Sequence, residues 1–286
     1  MNREEKRNRL ASIVERMKER YPDAVCALEY EGDPWRLLVM GRLSAQCTDA
    51  RVNIVCKDLF AKYPDAEAMA SGNLAEIEEI VKPCGLYHVK AENILDASRL
   101  LVETYHGALP DTMEELLTFP GVGRKIANLL LGDVFGKPAV VCDTHCIRIC
   151  GRLGMYPEKE KDPAKIEKIL TALIAPEEGS DFCHRIVWFG REVCTARAPK
   201  CEDCPLADLC EKHRRESGGA DTSTVETKNK PAAPSSATQN KVPPPTSAAR
   251  KSDIPASPRK TKDKTATPKP ANKEKTPPSD GKRERR

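Results

Sequence analysis

Two side chains suited to covalent chemistry, Lys125 and Asp143, lie in one short stretch of the sequence. Lys125 follows the turn Phe119-Pro-Gly-Val-Gly123 at the start of a predicted helix, where a cation lies at the positive end of the helix dipole. This position favours the neutral amine that a nucleophilic lysine requires. Asp143 comes after a short apolar run and just before another predicted helix, and its carboxylate could assist such a lysine. An alternative is that Asp143 only caps that helix.

The turn itself has the features of an anion-binding site. Gly121 and Gly123 tolerate positive φ and leave the backbone bare, so successive N–H groups, including that of Val122, can point at a phosphate. Asp111 and Glu114 have the spacing of a capping box, which predicts a short helix before the turn. With a helix on each side, the stretch is predicted to form a helix–hairpin–helix.

Four cysteines within residues 194–210 have the spacing of a metal site, C-x6-C-x2-C-x5-C. Four thiolates on one short loop need a cation to stay together. Zinc more often uses two separated C-x2-C pairs, whereas a single close run of four suits an iron–sulfur cubane with wider sulfur separations. Arg197 and Lys200 lie between the first two ligands, where a metal-pinned loop would present them to phosphates. The candidate ligands are Cys194, Cys201, Cys204 and Cys210.

A second set of cysteines, Cys142, Cys146 and Cys150, falls on one face of a predicted helix. Cysteines in this arrangement are predicted to be small core residues rather than a second metal site. His145 lies at the start of the same helix, a position consistent either with packing in the core or with a phosphate contact. We assign His145 no chemistry.

The elements that must position these residues are predicted to be helical. Only Ala139–Cys142 has the pattern of a short strand, and no internal repeat is present, so the predicted fold class is all-α. Apolar residues or caps at helical spacing mark residues 1–21, 33–46, 49–61, 73–81, 90–105, 162–174 and 179–193.

Gln46 and Leu86 stand out from this helical pattern. Gln46 continues the buried face of its helix where a leucine is expected, so its amide needs a partner. One alternative is a helix end at which the Gln46 side chain bonds to the backbone. Leu86 follows Gly85 in a break between helices, and an apolar residue there is ordinarily part of the core.

Charge is distributed unevenly along the 286 residues, of which 39% are hydrophobic. Residues 217–286 contain no aromatic residue or cysteine, 11 of the 23 prolines, and 16 basic against 7 acidic residues. This tail has a net charge of +9, whereas the rest of the chain has about −5. Because the tail contains few apolar residues, burying them cannot offset the conformational entropy lost on ordering. The tail is therefore predicted to be disordered. It either attracts phosphates in a salt-dependent way or only solvates the protein.

Several of these stretches together resemble the endonuclease III family of DNA glycosylases, within the helix–hairpin–helix superfamily. Besides the four-cysteine loop, the resemblance rests on Leu43–Asp49, Gly85–Asn93, Phe119–Lys125 and Val141–His145, which occur in family order within roughly residues 1–212. Cys47 stands where the family is expected to have alanine, and Ile126 where it often has threonine.

The resemblance implies two all-α lobes with a DNA-binding cleft between them. Residues 27–137 would form a six-helix lobe with the helix–hairpin–helix. The N-terminal helix in residues 1–26 and residues 138–216 would form the cluster lobe, and the disordered basic tail would occupy residues 217–286.

The resemblance also implies a role for each motif. Lys125 would attack the deoxyribose with help from Asp143, and the hairpin Gly121–Gly123 would anchor a phosphate. Gln46 would fill the gap left by a flipped base, and Leu86 would be a wedge that enters the duplex. The cysteine loop would hold a [4Fe–4S] cluster, whose role as a structural staple or a redox centre stays open.

The implied function is that of a bifunctional DNA glycosylase and AP lyase of base excision repair. It would remove oxidised pyrimidines and cleave the strand 3′ to the abasic site by β-elimination through a lysine Schiff base. Its partner would be double-stranded DNA with damaged bases or abasic sites, bound by a monomer. One alternative is a monofunctional or mismatch-directed glycosylase, which Lys125 disfavours because the adenine-specific relative lacks a lysine at the corresponding position. The other is a non-catalytic DNA-binding module.

Location is predicted from the absence of a run of about 20 apolar residues and from a charged N-terminus unlike a signal peptide. We expect a cytoplasmic, nucleoid-associated protein in a bacterium or a nuclear protein in a nucleated cell. The twelve cysteines then favour metal ligands or buried thiols over disulfides.

Overall fold

The structure, a computed structural model, describes residues 1–218. All regular secondary structure in this range is helical, which confirms the all-α fold class. Residues 219–286, nearly all of the expected basic tail, lie outside the described residues. The α-helices of residues 1–218 are α1 (Arg3–Arg20), α2 (Pro34–Leu43), α3 (Asp49–Lys62), α4 (Ala66–Ala70), α5 (Leu74–Val81), α6 (Tyr87–Glu103), α7 (Met113–Leu116), α8 (Arg124–Asp133), α9 (Thr144–Arg152), α10 (Pro163–Thr171), α11 (Gly179–Glu192) and α12 (Glu211–Glu216).

Side-chain caps set many of the helix starts. Asn2 forms a complete capping box with Glu5 at the start of α1. Asp33 and Asp162 each accept two backbone N–H groups and are each followed by a proline in the first turn. Such caps supply acceptors for amides that have no partner within the helix.

Two local expectations are wrong. The cap of α7 is Thr112, whose Oγ1 accepts the N–H of Glu115 at 3.3 Å, so the cap lies one residue after Asp111 and does not involve Glu114. The segment 139–142 is extended but pairs with no strand within residues 1–218. It is buried because it runs against α11, where the Val141 N–H donates to the Cys183 thiol at 3.2 Å.

The helices enclose one continuous hydrophobic core within the described residues. The long helix α6 packs against α4, α5 and α2, and α2 also packs against α8. At the other side, α11 packs against α9, α8 and α1. This arrangement holds the starts of α8 and α9, which carry the candidate reactive residues, on a packed base. None of the described helices is long and apolar enough to cross a membrane.

Candidate active site and metal centre

The hairpin, residues 119–123, joins α7 to α8. Phe119 is buried, and its carbonyl accepts the N–H of Val122 at 3.0 Å, which closes the turn. Gly121 has φ +75°, and an added Cβ there would lie 2.3 Å from Arg42 Nε and 2.6 Å from Asn93 Oδ1. Only glycine fits this position, because both the conformation and the space exclude a side chain.

A polar pair from two other helices supports the hairpin from behind. Arg42 of α2 donates from Nε to Asn93 Oδ1 of α6 at 2.7 Å, directly beneath Gly121. Burial lowers the pKa of Arg42. This pair was not predicted from the sequence, although Asn93 ends the stretch Gly85–Asn93, which resembles the endonuclease III family. The sequence did contain one indication of it, since Arg42 is a charged residue near the end of an otherwise mostly apolar helix.

The outward side of the hairpin keeps its donors free. Gly121 and Gly123 are exposed, and neither donates its N–H to another group within residues 1–218. Gly123 caps α8 without a side-chain hydrogen bond, and an added Cβ there would meet nothing within 4 Å. Val122 is buried and anchors the turn. Free amides at a helix start form a site for an anion.

Lys125 lies beside these amides in the first turn of α8 and is exposed. Its neighbour Arg124 pairs with Glu167, with Nε 3.0 Å from Oε2. Lys125 forms no ion pair or hydrogen bond within the described residues. The structure therefore places one uncompensated amine at the hairpin, next to a guanidinium that is already neutralised.

Asp143 is the N-cap of α9, so the capping role is confirmed. Its Oδ1 accepts the N–H of Cys146 at 2.7 Å, which fixes the direction of the carboxylate, and Oδ2 has no partner within residues 1–218. Lys125 and Asp143 are not within ion-pair distance.

His145, in the first turn of the same helix, packs against α11. An added Cβ at Gly190 would lie 2.3 Å from its Nδ1, and Nδ1 is 3.2 Å from Arg148 Nη2. Burial lowers the pKa of His145, which favours the neutral ring. These contacts support the packing interpretation.

The residues expected to enter the duplex lie on two loops with left-handed backbone. Gln46 has φ +53° and Leu86 has φ +50°, and both side chains are exposed, Leu86 by 61%. The Gln46 amide makes no hydrogen bond within residues 1–218, and Leu86 is not part of the core. Both alternative interpretations of these residues are therefore wrong.

Lys90 ties these two loops together. Its side chain is fully buried, and Nζ donates to the carbonyls of Leu43 at 2.9 Å and Cys84 at 2.8 Å. Leu43 is three residues before Gln46, and Cys84 is two before Leu86. Burial lowers the pKa of Lys90. The role of Lys90 was not predicted from the sequence, although Lys90 has the same helical spacing as the buried apolar residues of α6.

The cysteine loop, residues 194–210, lies between α11 and α12. All four of its cysteines line one cavity together with apolar residues such as Phe189 and Leu206. Burial, with contributions from the neighbouring thiols, raises the pKa of Cys204 to about 11. Four thiolates can therefore share this cavity only with a positive centre between them.

Hydrogen bonds from Arg152 hold the start of this loop. Its Nη1 lies 3.3 Å from Cys194 Sγ and 2.8 Å from the Thr195 carbonyl, and Nη2 donates to the Ala196 carbonyl at 2.8 Å. Arg148 adds a bond to the Cys194 carbonyl at 3.0 Å. Donors to the ligand sulfur and to the loop carbonyls orient a metal ligand from outside.

The cysteine loop fits a cluster better than a single ion. Within residues 1–218, no three of its sulfurs lie within 4.8 Å of one another. A zinc ion with Zn–S bonds of about 2.3 Å requires closer sulfurs. The spread-out, apolar and hydrogen-bonded arrangement suits a cubane.

Arg197 and Lys200 lie on the outer surface of the loop. Both are exposed and form no ion pair within the described residues. The Lys200 N–H donates to the Val193 carbonyl at 3.0 Å, which closes this part of the loop. The second cysteine set is different, since Cys142, Cys146 and Cys150 are buried core residues, as expected. Only Cys146 and Cys150 lie on α9, however, because the helix begins at Thr144, after Cys142.

Two family descriptions match the chain. Residues 39–176 match the HhH-GPD superfamily of base excision DNA repair proteins. Residues 194–210 match the iron-sulfur binding domain of endonuclease III. The first match contains Lys125 and Asp143, and the second spans the cysteine loop. Fold and site thus define a helix–hairpin–helix protein of base excision DNA repair with an iron–sulfur domain.

Individual proteins similar to this chain are all named endonuclease III in the three cases that follow. Endonuclease III of Synechocystis sp. is 47% identical over 72% of this chain and 93% of its own length. Endonuclease III of Bacillus subtilis is 40% identical over 71% and 91%, and that of Escherichia coli K12 is 36% identical over 70% and 93%.

Solved structures agree with these relatives. A non-covalent endonuclease III–DNA complex and a trapped endonuclease III–DNA covalent intermediate each match with a TM-score of 0.69 and 38% identity, covering 74% of this chain and 98% of theirs. The chain belongs to the endonuclease III family. It is an enzyme, a DNA glycosylase and AP lyase of base excision repair, and it carries a [4Fe–4S] cluster.

Proposed function

We propose that this enzyme removes oxidised pyrimidines from double-stranded DNA and then cleaves the strand 3′ to the abasic site through a lysine Schiff base. One observation carries the proposal: Lys125 is exposed and has no ion-pair partner within residues 1–218, and it lies beside backbone N–H groups that, in the same range, have no acceptor and suit a phosphate. The existence of a trapped covalent complex of a similar protein supports a covalent route.

Damaged DNA would bind in a cleft between the lobe of residues 27–137 and the lobe of residues 1–26 and 138–216. The N–H groups of the hairpin anchor a phosphate next to the lesion. Gln46 and Leu86, both exposed on left-handed turns, occupy the space of the flipped nucleotide. Unstacking a base costs on the order of a few kcal/mol, which these side chains offset by filling the gap.

The reaction begins when the neutral amine of Lys125 attacks C1′ of the extruded nucleotide. The bond between C1′ and the base breaks, and the base leaves with the electron pair and takes up a proton. Asp143 removes a proton from the Lys125 ammonium and stabilises positive charge on the sugar. Its free Oδ2 suits this role, because Oδ1 is held by the Cys146 N–H.

The Lys125 nitrogen then loses one proton, the C1′–O4′ bond breaks, O4′ takes up a proton, and the opened sugar is joined to Lys125 as a Schiff base. This Schiff base acidifies the C2′ hydrogen. Loss of that proton expels the 3′ phosphate by breaking the C3′–O bond, and water later hydrolyses the Schiff base to free Lys125. Strand cleavage therefore depends on the same residue as base removal.

We assign the [4Fe–4S] cluster to Cys194, Cys201, Cys204 and Cys210. When bound, the cluster supplies a rigid metal core for the loop. Arg197 and Lys200 then lie on a fixed surface, where they contact DNA phosphates in a way that salt weakens. We further propose that the enzyme acts as a monomer in the cytoplasm, associated with the nucleoid.

A single-turnover assay tests the proposal with a duplex that contains one thymine glycol, and with a matched undamaged duplex as the control. We expect base release and strand cleavage together for the wild type and neither for Lys125→Ala. Base release without cleavage would instead indicate a monofunctional glycosylase. Binding without base release would indicate a non-catalytic module.

A further inference from the structure

Three potential metal ligands meet away from both the hairpin and the cysteine loop. Cys26 lies between α1 and α2, Asp133 ends α8, and His184 lies on α11. One ligand atom of each lies within 4.8 Å of the other two. No other group of three such donors within residues 1–218 is this compact.

The three side chains are directed at one another. His184 Nε2 is 2.8 Å from Asp133 Oδ1 and 3.0 Å from Oδ2, and the Cys26 sulfur lies within 4.8 Å of a ligand atom of each of these two residues. Ser180 donates from Oγ to Asp133 Oδ1 at 2.8 Å. The side chains of His184 and Asp133 are 11% and 7% exposed. The group is sheltered but still reachable from solvent.

We propose that Cys26, Asp133 and His184 bind a zinc ion. A thiolate, a carboxylate and an imidazole are the three donor types that zinc prefers, and three protein ligands leave a fourth position for water or Ser180. The iron–sulfur cluster has its own four cysteines, so this site is separate from it.

Binding exchanges protons for the ion without any change in oxidation state. The Cys26 thiol proton leaves to solvent, and its sulfur takes a position on zinc. The ring proton of His184 moves from Nε2 to Nδ1, so that the Nε2 lone pair can coordinate. Asp133 exchanges its hydrogen bond with His184 Nε2 for a metal–oxygen bond.

The position of the site suggests a structural role for the ion. Asp133 and Lys125 are at opposite ends of α8, about 12 Å apart along the helix axis. Zinc would therefore not touch the reacting sugar. It would fasten the end of α8 to α11 and to the segment before α2, and so hold the helix that presents Lys125.

The test uses the full-length protein with its iron–sulfur cluster intact, as verified by iron content. Zinc chloride is titrated calorimetrically in two buffers with different ionisation enthalpies. We expect one zinc per chain and release of about one proton. Cys26→Ala and Asp133→Asn should each bind zinc at least ~100-fold more weakly, since losing even an outer partner of a ligand costs about 10–100-fold.

Two control variants separate this site from general thiol and imidazole binding. Cys56→Ala removes a buried cysteine of α3, and His106→Gln removes an exposed histidine. Both should bind zinc like the wild type. Thermal melts in EDTA check that all variants fold, and Asp133→Asn preserves the side-chain volume if Cys26→Ala does not fold.

Two results would overturn the proposal. One is the absence of saturable zinc binding to cluster-loaded wild-type protein. The other is unchanged zinc affinity in folded Cys26→Ala or Asp133→Asn. In either case, the group would be only a hydrogen-bonded clamp between α8 and α11.

Discussion

The hairpin and the cysteine loop are both irregular segments that end at a helix, yet the rest of the protein supports them differently. The hairpin is held only from behind, by Arg42 and Asn93, and its outward N–H groups have no partner within residues 1–218. In the cysteine loop, Arg152 and Arg148 bond to the carbonyls and to a sulfur. Free donors can bind a substrate, whereas satisfied groups maintain a shape.

The largest effect on stability should come from the cysteine loop. Arg152→Met removes three hydrogen bonds from a nearly buried guanidinium, so we expect Tm to fall by roughly 5–10 °C and the cluster absorbance to be lost earlier in denaturant. Arg20→Met, which breaks an exposed pair with Glu192 and a contact with the Tyr21 ring, is the control and should change Tm little. Equal melting of the two variants would contradict this account of the loop.

Two glycines divide the hairpin into a supported side and a free side. Gly121→Ala places a Cβ against Arg42 and Asn93 at positive φ, and should destabilise the protein by about 1–3 kcal/mol. Gly123→Ala meets open space, so the fold should tolerate it, but the methyl group should weaken binding of a lesion-containing duplex. Thermal melts and fluorescence anisotropy measure the two effects. Similar Tm values for both variants would argue against the support from behind.

Lys90 extends the comparison to the loops of Gln46 and Leu86. Lys90→Met removes both carbonyl contacts, so we expect faster amide hydrogen exchange in both loops and roughly tenfold weaker lesion binding. The control is Lys82→Met, because Lys82 is exposed and its side chain contacts the Glu79 carboxylate and the Tyr87 ring but no loop carbonyl within residues 1–218. Unchanged exchange in Lys90→Met would exclude a positioning role.

The smallest effect is expected from truncating Leu86, the exposed residue proposed to enter the duplex. Leu86→Ala should leave stability within about 0.5 kcal/mol but slow base removal roughly fivefold, because a smaller side chain fills less of the unstacked gap. Leu95→Ala, in the buried face of the same helix, should show the reverse, with a loss of about 2–5 kcal/mol. Full activity of Leu86→Ala would remove Leu86 from the DNA-binding residues.

Much of the fold followed from local sequence signals. The cap Asp33, at the start of the predicted helical segment 33–46, gave the start of α2, and apolar spacing gave the buried faces of α1 and α2. The short helix α4 was missed, since five residues show too little periodicity. The buried run 139–142 was taken for a strand because periodicity cannot separate an isolated extended segment from a paired one.

The site was predictable where one motif contains all the necessary residues, as in the cysteine loop. It was not predictable where the contact joins distant segments. Arg42 with Asn93, Lys90 with Leu43, and the group at Asp133 depend on helix packing that no local pattern encodes.

The most direct test of the central claim is borohydride trapping. The protein is incubated with a duplex containing one thymine glycol, sodium borohydride is added, and covalent protein–DNA complex is measured on a denaturing gel. We predict a covalent band for the wild type that disappears in Lys125→Ala while Cys56→Ala retains it. A band of equal intensity in folded Lys125→Ala, or no band from cluster-loaded wild type that releases the base, would contradict a Schiff base at Lys125.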